Sequence, residues 1–404
     1  MVDSPARDKR PLTDVKILEL GSLIAGPYAG ALLAQFGADV IKIEPPKVGD
    51  PLRKWRKLHE GTSLWWYVQS RNKKSVSLDL KSDAGRDIVR RLAAEADILI
   101  ENFRPGTLEK WGLGWEDLSA INPRLVMLRI SGYGQTGPLR KLPGFAAIAE
   151  GMGGLRHVTG YPDRPPVRAG ISIGDTLASL YGVIGALMAL HNVRGRDGAG
   201  QVVDVALYEA VFAVMESLIP EYSLYGEIRG RTGTSFPGIS PSNTYLCRDG
   251  NYVIIAANGD ALFKRLMTAI QRRDLADNPA FAHNDGRVAC NEELDQAICA
   301  WTSQHDIADV IATLQRAEVP VGKSFTAADI ARDEHYRARE MLEEHELPCG
   351  GPRVTIPGIV PKLSATPGKT EWLGPALGEH TAEVLSGLGI GQEALGLLKD
   401  QGFV

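Results

Sequence analysis

The sequence predicts an α/β fold: a parallel sheet covered on both faces by helices, followed by a second block of α+β character. Three observations carry this. From residue 15 to about residue 131, short apolar runs alternate with helix-periodic segments, which is the pattern of βαβ units. After about Leu224 the chain becomes rich in Gly, Ser and Pro with little periodicity, and then changes character. The length, 404 residues with 44% hydrophobic, exceeds what one core usually serves, about 250–300 residues.

The elements follow in order. VKILEL is a short apolar strand. GSLIAGPYAG turns into a helix with Pro27 near its first position, and the helix runs to Gly37, a C-terminal cap. DVIKIE is the second strand. SDAGRDIVRRLAAEA has helical periodicity with Ser82 or Asp83 as its cap, and DILIEN is the next strand. A helix over about 107–120 precedes the strand in PRLVMLRISGYG. The segment GEIRGRTGTSFPGISPSN reads as a long connection, and NTYLCRDGNYVIIAA as a hairpin turning at Asp249-Gly250. Helical patterns follow at 260–272, 291–303 and 305–317. Beyond Pro352 come short strands and loops, then helices in EHTAEVLSGLGI and EALGLLKDQGFV.

Composition excludes several classes. Lys plus Arg is 45 and Asp plus Glu 49, so a formal charge of −4 gives no general reason to bind nucleic acid or an acidic membrane face. The four cysteines, Cys247, Cys290, Cys299 and Cys349, form no C-x-x-C pair, and the eight histidines form no H-x-x-x-H pair; neither a disulfide framework nor a metal site is expected. MVDSPARDKR lacks an apolar signal region. The most apolar helical segment, about Leu177 to His191, is too short and Gly-interrupted for a bilayer span, and a cytoplasmic protein is expected. The spacing of Gly21, Gly26 and Gly30 is not G-x-G-x-x-G, which argues against NAD. No G-x-S-x-G elbow or P-loop lysine is present.

A sheet of this kind takes ligands outside the carboxyl ends of its strands, where Ser22–Gly26, Glu44–Arg53, Asn102–Gly106 and Ser131–Gly137 fall. Basic residues gather in the same regions: Lys42, Lys47, Arg53, Lys54, Arg56 and Lys57, then Arg71, Lys73 and Lys74, then Arg104 and Lys110, a set that fits a polyphosphate ligand or ordinary surface charge. Asp175, in VRAGISIGDTLASLYGVIGAL, lies between a Gly-rich run and an apolar helix. On local chemistry two roles stand open. One is a helix cap, worth about 0.5–2 kcal/mol. The other is a carboxylate nucleophile, which needs an activated partner such as a thioester.

Several long motifs in order resemble the class III CoA-transferases, the family of formyl-CoA transferase and carnitine CoA-transferase. They are PLTDVKILELGSLIAGPYAGALLAQFGADVIKIEPPKVGDPLR, NKKSVSLDLKSDAGRDIVRRLAAEADILIENFRPGTLEKWGLG, NPRLVMLRISGYGQTGP, RAGISIGDTLASLYG, GAGQVVDVALYEA and GPALGEHTAEVL. The resemblance implies a large Rossmann-like CoA-binding domain from both chain ends, 1–224 and 336–404, with a small α+β domain at 225–335. It also implies an obligate homodimer of interlocked rings, with no permanently bound cofactor and with coenzyme A or acyl-CoA as substrate. Asp175 would be the nucleophile. It would take the acyl group from the donor as an anhydride, receive CoA as an aspartyl thioester, and pass CoA to the acceptor acid. The implied CoA contacts are Leu23, Ile24 and Ala25, Arg53, Asn72 and Lys74, Asn102 and Phe103, with Arg104 and Lys110 as phosphate contacts.

The resemblance is nearest to the branch that uses succinyl-CoA with malate, citramalate, mesaconate, itaconate, glutarate or hydroxymethylglutarate. The acceptor loop, which includes Asn258 and Gly259, reads ANGD rather than the four glycines of formyl-CoA transferase, against a formyl/oxalate pair. Another departure is GFAAIAE, where Ala146 stands in place of an acidic residue of many relatives. His157, Arg168 and Arg231 are the candidates to read a distal carboxylate. Two other classes stay open: an acyl-CoA racemase, with His157 and a carboxylate as its proton-transfer pair, and a non-catalytic CoA-binding protein.

Overall fold

The computed structural model describes residues 10–195, 198–348 and 350–404; the N-terminal nine residues and Cys349, on which expectations were placed above, lie outside them. The chain divides into two compact units. The first comprises residues up to Leu155, Ala169–Leu218 and Arg337–Val404; the second comprises Arg156–Arg168 and Ile219–Tyr336.

The first unit is built on six parallel strands: β1 (Lys16–Glu19), β2 (Asp39–Glu44), β3 (Lys73–Ser77), β4 (Ile98–Glu101), β5 (Val126–Ser131) and β6 (Gln201–Ala206). Their spatial order is β3-β2-β1-β4-β5-β6, the doubly wound order in which chain direction reverses between β1 and β4. Strand residues alternate between two cores because side chains alternate along a strand. Ile17, Ile98, Ile100, Val126 and Leu128 face α1 (Ala25–Gln35) and α3 (Ile173–Gly195). Leu18, Leu99 and Met127 face α2 (Asp83–Ala93) and the C-terminal helices Thr381–Gly387 and Gln392–Asp400. α2 is capped as its sequence predicts, with Ser82 Oγ accepting from the Gly85 amide at 2.9 Å. The second unit holds an antiparallel sheet of β7 (Ser242–Leu246), β8 (Tyr252–Ala256) and β9 (Val321–Lys323), packed with α4 (Asp260–Ala269), α5 (Asn291–Thr302) and α6 (Ile307–Arg316).

Three elements differ from expectation. The helix expected over 107–120 is two, Thr107–Lys110 and Trp115–Ile121, because Gly112 adopts a left-handed backbone (φ 63°) between them. Pro27, expected near the first position of α1, is its third residue. α3 is also longer than its most apolar stretch: it runs 23 residues and is long and apolar enough to cross a membrane. Its small side chains explain its place inside the fold. Ala178, Ser179, Gly182, Ala186 and Ala189 are buried on one side, and a Cβ on Gly182 would come within 3.0 Å of Leu128.

Candidate active site

The site begins where β1 and β4 diverge. The Ser22–Ala25 turn leaves β1 at this point, and Asn102 follows β4. Asn102 clasps the turn from both ends of its amide: Oδ1 accepts from the Ser22 amide at 2.8 Å and Nδ2 donates to the Ser22 carbonyl at 2.9 Å. This explains two of the glycines whose spacing fits no nucleotide fingerprint. A Cβ on Gly21 would stand 2.8 Å from Asn102 Oδ1, and one on Gly26 3.4 Å from it. The third, Gly30, makes room for the Glu19 carboxylate, which a Cβ there would meet at 2.0 Å.

Leu23 sits in the left-handed region (φ 64°), a conformation that a bulky residue keeps only when its surroundings hold it. The Leu23 amide donates to the Asp50 carboxylate (3.0 and 3.2 Å), and its carbonyl accepts from Gln69 Nε2 at 2.7 Å. Asp50 is in turn one end of a buried chain of charge. Lys42 Nζ lies 2.8 Å from Asp50, 2.9 Å from Glu19 and 2.9 Å from the Gly21 carbonyl. Lys73 Nζ lies 2.7 Å from the other Glu19 oxygen and 2.6 Å from the Pro27 carbonyl.

Burial alone would push the Glu19 and Asp50 carboxyls up. Lys42 outweighs it at both, helped by Lys73 at Glu19 and by the Leu52 and Leu23 amides at Asp50, so both are held below the usual carboxylate range. Lys42 is raised: burial lowers it, but Asp50, Glu19 and Glu44 outweigh burial. Carboxyls lowered in the fold contribute stability that is present above their unfolded values, near 4, and lost as pH falls through the folded ones. The melting temperature is therefore expected to be insensitive to these two groups between pH 5 and 7 and to drop below about pH 4, as a calorimetric pH series will read.

A cavity of about 210 Å³ opens beside the turn, lined entirely from the first unit. Its walls include Ser22, Leu23, Ile24, Ala25, Asn102, Arg104, Ser131 and Asp175, with Trp55 and Phe145. Asp175 is the third residue of α3, in its first turn, where the positive end of the helix dipole favours a carboxylate. Its carbonyl accepts from Ser179 Oγ at 2.7 Å, and the same hydroxyl lies 2.6 Å from the Ala25 carbonyl, which ties α3 to the turn. Gly174 packs on Ala146, whose Cβ would be 3.2 Å from a Cβ on the glycine; a larger side chain at 146 would press on the start of α3.

Of the residues expected from sequence, the structure gathers Leu23, Ile24, Ala25, Asn102, Arg104 and Asp175 around this cavity. It does not bring the others there. Arg53 is buried, its guanidinium held by Glu44 (2.7 and 2.8 Å) and the Pro375 carbonyl and stacked 3.7 Å above Trp66. Asn72 is buried and spends its amide on backbone groups of Ala34, Lys369, Glu371 and Trp372. Lys74 pairs with Asp39 and Glu383 beside a different cavity, and Phe103 packs edge-on against Trp111. Lys110 is exposed at the end of its helix. Lys42 and Lys73 are buried counter-charges, so the expected cluster of free basic groups is smaller than its residue count.

His157, Arg168, Arg231, Asn258 and Gly259 all belong to the second unit. There the Arg231 guanidinium is bonded to the carbonyls of Tyr161, His157 and Pro162. The Asn258–Asp260 loop is fixed by a residue that sequence reading passed over. Arg287, fully buried, donates to the carbonyls of Asn258, Ser240 and Phe281 and pairs with Asp260 at 2.8 Å. Trp55 was also missed, because its neighbours Arg53, Lys54, Arg56 and Lys57 drew attention to charge. Among the described residues no group of three His, Cys, Asp or Glu is placed to hold a metal ion.

The doubly wound sheet places a half-buried carboxylate at its switch point, where folds of this kind take their ligands. Residues 12–381 match CoA-transferase family III, and the chain belongs to that family and is a CoA-transferase. It is 49% identical to succinyl-CoA--D-citramalate CoA-transferase of Chloroflexus aurantiacus over 98% of both chains. It is 42% identical to the alpha subunit of succinyl-CoA--L-malate CoA-transferase of Chloroflexus aurantiacus, over 94% of this chain and 89% of that one. Among solved structures, a CAIB/BAIF family protein from Brucella suis superposes with a TM-score of 0.82 at 36% identity, over 94% of this chain and 99% of the other.

Proposed function

We propose that this chain moves CoA from succinyl-CoA to a small dicarboxylic acid of the citramalate or malate type, with Asp175 as the covalent carrier. The observation that supports it most is the 49% identity, over 98% of both chains, to an enzyme named for succinyl-CoA and D-citramalate. In this reading the Asp175 carboxylate attacks the succinyl thioester, and the CoA thiolate leaves as a mixed anhydride forms. The thiolate then attacks the Asp175 carbonyl, which releases succinate and leaves an aspartyl-CoA thioester. The acceptor carboxylate attacks that thioester and expels the thiolate, forming a second anhydride. The thiolate attacks the acceptor's carbonyl, giving product and free Asp175. Covalent storage preserves the thioester's free energy from water.

Leu23, Ile24, Ala25, Asn102 and Arg104 then contact CoA, while Arg53 and Asn72 act by holding the backbone around them. His157, Arg168, Arg231, Asn258 and Gly259 belong to acceptor recognition. The large domain is drawn from 1–224 and 336–404 and the small one from 225–335, with Arg156–Arg168 and Ile219–Leu224 grouped with the second compact unit. The enzyme works in the cytoplasm as an interlocked homodimer. Leu180, Ile184, Leu187 and Met188 support that assembly: they recur at helical spacing on α3 and are exposed in a single chain, up to 68% at Met188, a face that a second copy would bury.

The test is a panel of acceptors offered with succinyl-CoA or acetyl-CoA and read by product mass. Citramalyl-CoA or malyl-CoA formed from succinyl-CoA, with acetyl-CoA at least tenfold poorer, is the expected result. No transfer to any dicarboxylate, with deuterium entering at the α-carbon of an acyl-CoA, would overturn it in favour of a racemase.

A further inference from the structure

The Asp175 cavity contains a polar group that the fold leaves unused. Ser131 is the last residue of β5, paired through its backbone with Ala206 of β6. It is 6% exposed and lines the cavity, yet its hydroxyl has no hydrogen-bond partner among the described residues. The neighbouring polar groups are differently placed. Asn102 is committed at both ends of its amide to Ser22, and Arg104 is exposed. A buried O–H without an acceptor is destabilising, and native folds rarely keep one that has no task.

We propose that Ser131 is a further catalytic residue: its O–H donates a hydrogen bond to the carbonyl oxygen of the acyl group being transferred at Asp175. This rests on the transferase reading above. Each step of that cycle adds a nucleophile to a carbonyl and places negative charge on its oxygen. A donor at a strand end within a rigid sheet has its backbone already in place, and its shielded oxygen has only its own side-chain rotation to make to meet that charge. A hydroxyl also suits a site whose nucleophile is a carboxylate. A lysine or arginine there would pair with Asp175 and blunt its attack, whereas a neutral donor stabilises the oxyanion without competing for the carboxylate.

The experiment compares wild type and Ser131→Ala, as full-length proteins, for kcat, KM and melting temperature in CoA transfer from succinyl-CoA to the best acceptor of the panel. The expected signature is a kcat lower by a factor on the order of 10², KM for succinyl-CoA within about threefold, and a melting temperature equal to or above wild type, because the variant no longer buries an unpaired hydroxyl. A kcat within twofold of wild type overturns the proposal. So does a change confined to KM, which would mark a ground-state contact with CoA, or a lowered melting temperature, which would mark a structural hydroxyl. A wild type that transfers no CoA overturns the functional reading and this inference together, whereas an active wild type matched by Ser131→Ala overturns this inference alone.

Discussion

Asp175→Ala is expected to lose CoA transfer by a factor on the order of 10³ or more, the scale seen when a covalent nucleophile is removed, while the protein stays folded. The two halves of this expectation have separate grounds. Chemically, no other carboxylate shares the cavity wall with Asp175 among its described lining residues, so alanine leaves nothing to carry the acyl group or CoA. Structurally, what ties this end of α3 to the Ser22–Ala25 turn is Ser179 Oγ, which bonds the backbone carbonyls of Asp175 and Ala25 and not the Asp175 side chain. The carboxylate's favourable placement at the helix start is worth about 0.3–1 kcal/mol, a shift of a few degrees at most for a chain of this size. The measurement is the rate of product formation beside a melting curve, with hydroxylamine added to the wild type in the presence of succinyl-CoA to trap a modified Asp175. A variant with full transfer would overturn the covalent mechanism, whatever the acids exchanged.

Lys42→Met is expected to destabilise the protein by about 3–5 kcal/mol, the cost of leaving buried charges without their partner. Lys42 is the shared counter-ion of Glu19 and Asp50, and all three side chains are about 1% exposed or less. Methionine fills a similar volume, so the loss is electrostatic and not a cavity. The pH dependence separates this cause from a general packing defect. In the wild type the two carboxyls are held low, and stability is lost only as acid protonates them. In the variant Asp50 keeps only amide donors, and burial raises it above its unfolded value near 4. Its penalty is then relieved by protonation, and the variant gains stability as pH falls from 7 to 5, over which these groups leave the wild type flat. A denaturant series at the two pH values reads the difference. A Lys42→Met protein as stable as wild type, or one with the same deficit at both pH values, would show that the buried chain of charge does not support the Ser22–Ala25 turn in this way.

Much of the first unit was legible because periodicity reports burial directly. Ile17 and Leu18 alternate between two cores, and DILIEN and LVMLRI do the same, so strands and their two-sided cover could be read from the chain. Asp175 could be singled out, but by itself it was as good a helix cap as a nucleophile; only the surrounding motifs separated the roles. The basic residues were the least legible. Lys42, Arg53 and Lys73 look like surface charge in sequence, and nothing local announces that Glu19, Glu44 and Asp50 fold back onto them. Arg287 was invisible for the same reason. It lies in a polar stretch, NDGRVACNEEL, and its burial depends on carbonyls presented by Ser240, Asn258 and Phe281. Unused hydrogen-bonding capacity, as at Ser131, has no sequence signature, since it depends on what neighbours do not offer.

The edge strand β3 is finished by the far end of the chain. The His380 amide donates to the Ser75 carbonyl, the Ser75 amide meets His380 Nδ1, and the Ser77 amide donates to Thr381 Oγ1. Nearby, Trp66 Nε1 and Arg53 both reach the Pro375 carbonyl. On the ribosome these partners emerge long after the strand they finish. At about 5–20 residues per second, the roughly 300 residues between Ser77 and His380 take on the order of fifteen to sixty seconds to appear. For that interval the nascent sheet carries an open strand edge, the feature by which β-proteins pair with the wrong neighbour, while most of the second unit has already been delivered in one piece and is free to fold. Until His380 and Thr381 have been made, β3 therefore lacks the partners that finish its edge.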